Sequence, residues 1–100
     1  MQSKVKKLIE KYGLFVGVGP RYIDLVSETG ELGKEILKSC DYDRAEFNAT
    51  ESFEEELGDC LFSLLALADA AEIDADTALD RVLVKYERRF AAKGDVGSGR

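Results

Sequence analysis

Apolar side chains recur at a helical period through most of the chain, and few residues interrupt that period. The spacing is clearest at Phe53, Leu57, Cys60 and Leu64, which lie three or four residues apart, as they would on one face of an α-helix. Pro20 is the only proline in the sequence. Because β-branched residues seldom alternate with polar ones, the pattern predicts an all-α fold built from long helices.

The same period defines four helices and the connections between them. Pro20 suits the first turn of a helix, Ser52 and Glu55 have the spacing of a capping box, and Asp74 is a candidate N-cap. We predict a bundle of about four helices with approximate bounds 2–12, 20–39, 52–71 and 75–92, joined in part by a polar loop over 41–50. The apolar stripe of the second helix comprises Tyr22, Leu25, Val26, Leu32, Ile36 and Leu37.

The length of 100 residues suits one domain. We expect residues 1–93 to form this domain and the glycine-rich residues 94–100 to form a flexible tail. Phe62 and Leu65 fall outside the main apolar stripe of the third helix, so that helix is apolar over a wide arc. Such a helix is usually buried on two sides, which predicts assembly into a homodimer or homotetramer.

Composition narrows the classes of partner. The chain has 20 acidic residues against 14 lysines and arginines and a net charge of −6, whereas a nucleic-acid-binding face is basic. No apolar run approaches the roughly 18 residues of a membrane span. Cys40 and Cys60 are far apart and the chain has no histidine, which disfavours zinc. We therefore expect a cytoplasmic protein with reduced thiols and neither a nucleic-acid nor a membrane partner.

Two acidic pairs stand out within the helical segments. Glu28 and Glu31 are three residues apart, and so are Glu56 and Asp59, which places each pair one turn apart on its helix. Four carboxylates on two antiparallel helices are the hard oxygen ligands that Mg²⁺ prefers. The alternative is a solvated acidic face, since a chain with 20 acids contains some such pairs by chance.

At these residues the sequence resembles the MazG-like, all-α nucleoside triphosphate pyrophosphohydrolases, whose pattern is E-x-x-E, a spacer, then E-x-x-D. The matching strings are Ser27-Glu-Thr-Gly-Glu-Leu32, Glu55-Glu-Leu-Gly-Asp-Cys-Leu-Phe62 and Lys85-Tyr-Glu-Arg-Arg-Phe90. The resemblance covers about residues 20–93. The combined motif is specific, although no single part of it is.

The resemblance implies an enzyme that cleaves a nucleoside or deoxynucleoside triphosphate to the monophosphate and pyrophosphate, as nucleotide-pool house-cleaning enzymes do. It implies Glu28, Glu31, Glu56 and Asp59 as catalytic residues and ligands of Mg²⁺, with Mn²⁺ as an alternative ion. It also implies that Lys85 and Arg89 bind the substrate phosphates, which carry the negative charge that such transfers must offset.

Two other functions stay open at this point. One is a phosphoribosyl-ATP pyrophosphohydrolase, although the Glu56-Leu-Gly-Asp59 string favours the first assignment. The other is a non-catalytic helical dimerisation or sensor module of the same fold. It is kept open by Ser27, where many members carry a further glutamate, and by Leu83, where members often carry an asparagine.

Overall fold

The computed structural model of the protein describes residues 1–93, and within them every regular element is an α-helix. The helices are α1 (Gln2–Tyr12), α2 (Val18–Ser39), α3 (Glu51–Ala70) and α4 (Ala75–Lys93). The predicted all-α fold of four helices is confirmed. None of these helices combines the length and the hydropathy that crossing a bilayer requires. The predicted flexible tail, 94–100, lies outside the described residues.

Local hydrogen bonds fix the helix ends. The Thr50 side chain accepts a hydrogen bond from the Phe53 amide at 3.0 Å, so Thr50 caps α3 and the predicted Ser52 cap is wrong. The predicted Asp74 cap is confirmed, since its carboxylate accepts from the Thr77 amide at 3.1 Å. Gly13 ends α1 with φ of 63°, a left-handed conformation that glycine adopts at little cost.

Helices α2 and α3 form an antiparallel hairpin across the connection 40–50. Their order is visible from side chains that meet: Glu28 lies beside Glu56 and Asp59, whereas the earlier Arg21 shares a cavity with the later Ala66. The connection contains no regular helix or strand, as predicted. This hairpin is the framework on which the acidic pairs are carried.

Helix α1 packs against the second half of α3 and forms the small core of the chain. Val5, Ile9, Leu65 and Ala66 are buried together there, with exposures between 0 and 8%. The Gln2 side chain ties the start of α1 to the connection before α4, donating to the Ile73 carbonyl at 2.8 Å and accepting from the Ala75 amide at 2.7 Å. The core therefore positions α1 on the hairpin.

Ile9 is the best buried large side chain of this core, with 2% exposure, whereas its neighbour Leu8 is 42% exposed. We expect Ile9→Ala to lower the free energy of unfolding by about 2–5 kcal/mol, because it removes buried methyl groups and leaves a cavity. Leu8→Ala should change it by about 0.5 kcal/mol or less. Urea unfolding of both variants checks this pair, and equal losses would mean that α1 does not pack through Ile9.

Helix α4 buries none of its residues in the described chain. Its apolar residues Leu79, Leu83 and Phe90 are 53–54% exposed. The Cα radius of gyration is 16.7 Å, where a compact domain of this length has about 13 Å. The four helices described in one chain therefore form an open arrangement, and the predicted completion of the bundle by oligomerisation stays a prediction.

Candidate metal centre

The face of α2 that meets α3 carries a row of residues at seven-residue spacing. Arg21 is buried, Glu28 and Glu35 are half-buried, and each lies seven residues from the next, which keeps the three on nearly the same side of the helix. Leu25 and Leu32 lie between them, Ser39 lies one turn beyond Glu35, and all three are also half-buried. The hairpin therefore packs through a seam that mixes charged and apolar side chains.

Most of the apolar stripe predicted for α2 lies outside this seam. Tyr22, Val26 and Ile36 are 54%, 49% and 40% exposed, so they do not pack on α3 within the described chain. Helical periodicity identifies an apolar face but not the surface that covers it.

Three of the four predicted acids converge in the seam. Glu28, Glu56 and Asp59 each offer a carboxylate oxygen, and these oxygens all lie within 4.8 Å of one another. Two ligands of one octahedral Mg²⁺, each about 2.1 Å from the ion, lie at most about 4.2 Å apart. The donor set and its spacing therefore fit a divalent cation after small side-chain rotations.

Glu31 lies beside this group without joining it. Its side chain is 52% exposed and forms an ion pair with Lys34 at 3.8 Å. Its charge still acts on the cluster, since it is one of the groups that raise the pKa of Glu56. The structure therefore keeps Glu31 next to the other three acids, but it does not bring all four predicted ligands together.

The charge of the site is concentrated around Glu56. Partial removal from water raises the pKa of its carboxyl group, and the negative charges of Asp59, Glu28, Glu31 and Glu35 raise it further. Two of these acids, Glu31 and Glu35, are themselves paired with Lys34 and Lys38, whereas the ion pairs of residues 1–93 do not include Glu28, Glu56 or Asp59. Several carboxylates this close together attract a cation, and a bound cation reverses the local electrostatics.

Two neighbours of the cluster were not predicted from the sequence. Cys60 is buried, and burial together with the charges of Glu28, Glu56 and Asp59 raises the pKa of its thiol, so the thiol is held in its neutral form. Glu35 has a side chain that is only 17% exposed and pairs with Lys38 at 3.7 Å. The available signal for Glu35 was its seven-residue spacing from Glu28 on α2.

The predicted phosphate-binding cations lie at exposed positions on α4. Lys85 and Arg89 are exposed, and the Lys85 ammonium lies 5.4 Å from the ring centroid of Tyr86 on the same helix. Neither residue is among the groups that shift the pKa of Glu56. One chain therefore positions the acids of the predicted site but not its cations.

Comparison with known proteins agrees with the motif. The family profile described as the MazG nucleotide pyrophosphohydrolase domain matches residues 22–91. The uncharacterized protein YpjD of Bacillus subtilis (strain 168) is 41% identical over 68 residues, which cover 65% of this chain and 60% of that relative. No solved structure matches the chain. The matched region contains both acidic pairs and the two α4 cations.

Proposed function

The chain belongs to the MazG nucleotide pyrophosphohydrolase family, and on that premise we propose that it hydrolyses nucleoside or deoxynucleoside triphosphates to monophosphates and pyrophosphate in a Mg²⁺-dependent reaction. The observation that carries the proposal is the group of carboxylate oxygens from Glu28, Glu56 and Asp59 within 4.8 Å of one another. A triphosphate is strongly anionic, so these acids need a cation between themselves and the substrate.

The acids have two roles in the proposed reaction: they bind the metal ion, and one of them accepts a proton. Glu28, Glu56 and Asp59 would hold Mg²⁺, with Glu31 one turn along α2 to complete the set; Mn²⁺ is an alternative ion with the same ligand preference. Bound there, the ion supplies positive charge to the phosphate oxygens and polarises water. Water attacks the α-phosphorus, the bond from that phosphorus to the bridging oxygen breaks, and pyrophosphate leaves. A carboxylate of the cluster accepts the proton of the attacking water.

Charge also suggests how α4 takes part. The acids of α3 are Glu51, Glu54, Glu55, Glu56, Asp59 and Asp69, and that helix has no lysine or arginine. The bases of α4 are Arg81, Lys85, Arg88, Arg89 and Lys93, against the acids Asp76, Asp80 and Glu87. Opposite net charges favour packing of the two helices, and in an oligomer this would bring Lys85 and Arg89 over an acidic cluster.

The exposed apolar residues support a homodimer or homotetramer. Leu57 and Leu64 on α3 are 48% and 49% exposed, and Leu79 and Leu83 on α4 are 54% and 53% exposed. Contiguous apolar surfaces of this kind usually mark interaction sites. We propose that another copy of the chain covers them and completes the helical bundle.

Substitution on the apolar face of α4 tests this assembly. We expect Leu83→Glu to shift the protein towards the monomer, because a carboxylate would lie in an apolar interface, and to lower activity in parallel. Val84→Glu is the matched control: Val84 is 50% exposed but lies about 100° around the helix from Leu83, outside the face that Leu79, Leu83 and Phe90 share. Size-exclusion chromatography with light scattering gives the mass. A monomeric native protein, or the same mass for both variants, would contradict the assembly.

The assay that tests the activity presents a panel of (d)NTPs and phosphoribosyl-ATP to the purified protein with Mg²⁺ or Mn²⁺. We expect nucleoside monophosphate and pyrophosphate in equal amounts from at least one nucleoside triphosphate, detected by ³¹P NMR. Turnover of phosphoribosyl-ATP alone would instead identify a phosphoribosyl-ATP pyrophosphohydrolase. No pyrophosphate from any substrate would favour the non-catalytic module and reject the proposal.

A further inference from the structure

Arg21 is a buried cation whose hydrogen-bonding capacity is largely unused. The residue is 8% exposed, and its guanidinium donates to the carbonyl oxygen of Leu14. None of the ion pairs found within residues 1–93 includes Arg21, although Asp69 and Glu72 line the same cavity. Arginine is rarely this well buried unless it is paired, and its guanidinium has five N–H donors. The side chain is thus ready to donate to further acceptors.

A cavity of about 330 Å³ opens beside this guanidinium. Its walls come from α1 (Lys6 and Ile9), the segment before α2, α2 itself, the second half of α3 and the connection just after α3. They include Phe15, Val16, Arg21, Ala66, Asp69 and Glu72. The volume lies at the lower end of the range for small-molecule pockets. Phe15 is 68% exposed, so an aromatic surface is available for stacking with a planar ligand.

The cavity lies in line with the acidic cluster. Arg21 and Glu28 are seven residues apart on α2, and Asp59 and Ala66 are seven residues apart on α3. Seven residues return to nearly the same side of a helix and advance about 10 Å along it. Both helices therefore place the cavity about two turns from the cluster on the same seam, a separation that suits the base and the phosphates of one nucleotide.

We infer that this cavity binds the nucleobase of the substrate, stacked on Phe15 and hydrogen-bonded to Arg21. The inference builds on the proposed function, since it assigns the other end of the triphosphate. A guanidinium only donates, so it selects an edge with two adjacent acceptors. Guanine presents such a pair at O6 and N7, and cytosine at O2 and N3.

The remaining bases do not offer this edge. Adenine places an amino group beside each of its ring acceptors N1 and N7, and uracil and thymine place an N–H between their two carbonyl oxygens. Asp69, on the same cavity wall, adds an acceptor for an exocyclic amino group, which a carboxylate can bind. We therefore expect the cavity to bind cytosine and guanine nucleotides more tightly than adenine, uracil and thymine nucleotides. A matched bidentate contact is worth a preference of about 5- to 150-fold.

The test uses uncharged nucleosides, so that binding does not depend on metal or phosphate. Cytidine, guanosine, adenosine and uridine are titrated into ¹⁵N-labelled protein, and NMR shifts are followed at residues 14–17 and 66–70 and at the Arg21 side chain. We expect cytidine or guanosine to shift these signals at lower concentration than adenosine and uridine. Comparison of cytidine with guanosine shows whether the cavity binds the O2 and N3 edge of cytosine or the O6 and N7 edge of guanine more tightly.

Two variants separate ligand binding from folding. Phe15→Ala removes a mostly exposed ring and should weaken nucleoside binding by about 5- to 100-fold, the range for lost base stacking. Tyr12→Ala removes a ring that is 61% exposed and does not line the cavity, so it should bind as the native protein does. Arg21→Lys keeps the charge but loses the two-donor geometry, and it should remove the preference among bases.

The outcomes are distinguishable from those of the proposed function. Nucleoside shifts in the cavity without hydrolysis of any triphosphate would support the nucleobase site and reject the activity. Hydrolysis with equal rates for all bases, unchanged by Phe15→Ala, would reject the nucleobase site and keep the activity. Absence of shifts at residues 14–17 and 66–70 with every nucleoside would also overturn the inference.

Discussion

Replacement of Glu56 by glutamine should lower kcat for triphosphate hydrolysis by about 100- to 1,000-fold, the usual cost of losing one preorganised electrostatic group. Glu56 lies within the group of three converging carboxylates, and glutamine has nearly the same shape without the charge. Steady-state pyrophosphate release measures the loss, and circular dichroism should show unchanged helix content. Glu54→Gln, at an exposed position in the first turn of α3, is the control and should keep full activity.

The same substitution should stabilise the protein when no divalent ion is added. The pKa of Glu56 is raised in the fold, so the native state binds a proton more tightly than the unfolded chain does. Stability therefore falls as pH rises from the ordinary glutamate pKa through the raised pKa, and above that range the charged Glu56 costs free energy. Glu56→Gln should melt at a higher temperature than the native protein at neutral pH. Equal activity and equal melting temperatures would remove Glu56 from the site.

The second large effect is expected at the two cations of α4. A Lys85→Ala and Arg89→Ala double variant should lose about 100-fold in kcat/KM, because it removes the two positive side chains that would face the substrate phosphates. Affinity for a divalent ion alone should not fall, since the acids remain. Arg88→Ala is the matched control on the same helix, and kinetics across substrate concentrations separate the variants. An equal loss in Arg88→Ala would indicate a general effect of helix charge and contradict the assigned roles.

The helices were predictable because their signals are local. The predicted start and end of α1 coincide with the observed Gln2–Tyr12, and the Asp74 cap depends only on a residue three positions away. The cap of α3 was misassigned because two hydroxyl residues lie near its start, Thr50 just before the helix and Ser52 within its first turn, and the spacing alone did not distinguish them. Local hydrogen bonding therefore accounts both for the successes and for this error.

Tertiary features were harder to predict because a helix can have two apolar faces. Tyr22 and Ile36 belong to the predicted apolar stripe of α2, yet both are exposed. The seam with α3 is lined instead by Arg21, Glu28 and Glu35. From a single sequence, a charged residue is predicted to be exposed even where the fold packs it against another helix. Whether such a residue is buried depends on the side chains of the neighbouring helix.

The acidic site illustrates the same limit. The i,i+3 spacings identified Glu28, Glu56 and Asp59, which converge, but the pairing of Glu31 with Lys34 depends on side-chain rotamers that spacing does not specify. The positions of Lys85 and Arg89 depend on where α4 packs. Their part in the site stays a prediction that the α4 variants test.

Paramagnetic mapping with Mn²⁺ tests most directly whether two helices share a divalent ion. Mn²⁺ is titrated at low stoichiometry into ¹⁵N-labelled protein, and the broadening of each amide signal is measured. We predict broadening centred on Glu28 of α2 and on Glu56 and Asp59 of α3, displaced by Mg²⁺ and absent in Glu56→Gln. Broadening centred on the acids around Asp69 and Asp74, or spread evenly over the acidic surface, would contradict the shared site.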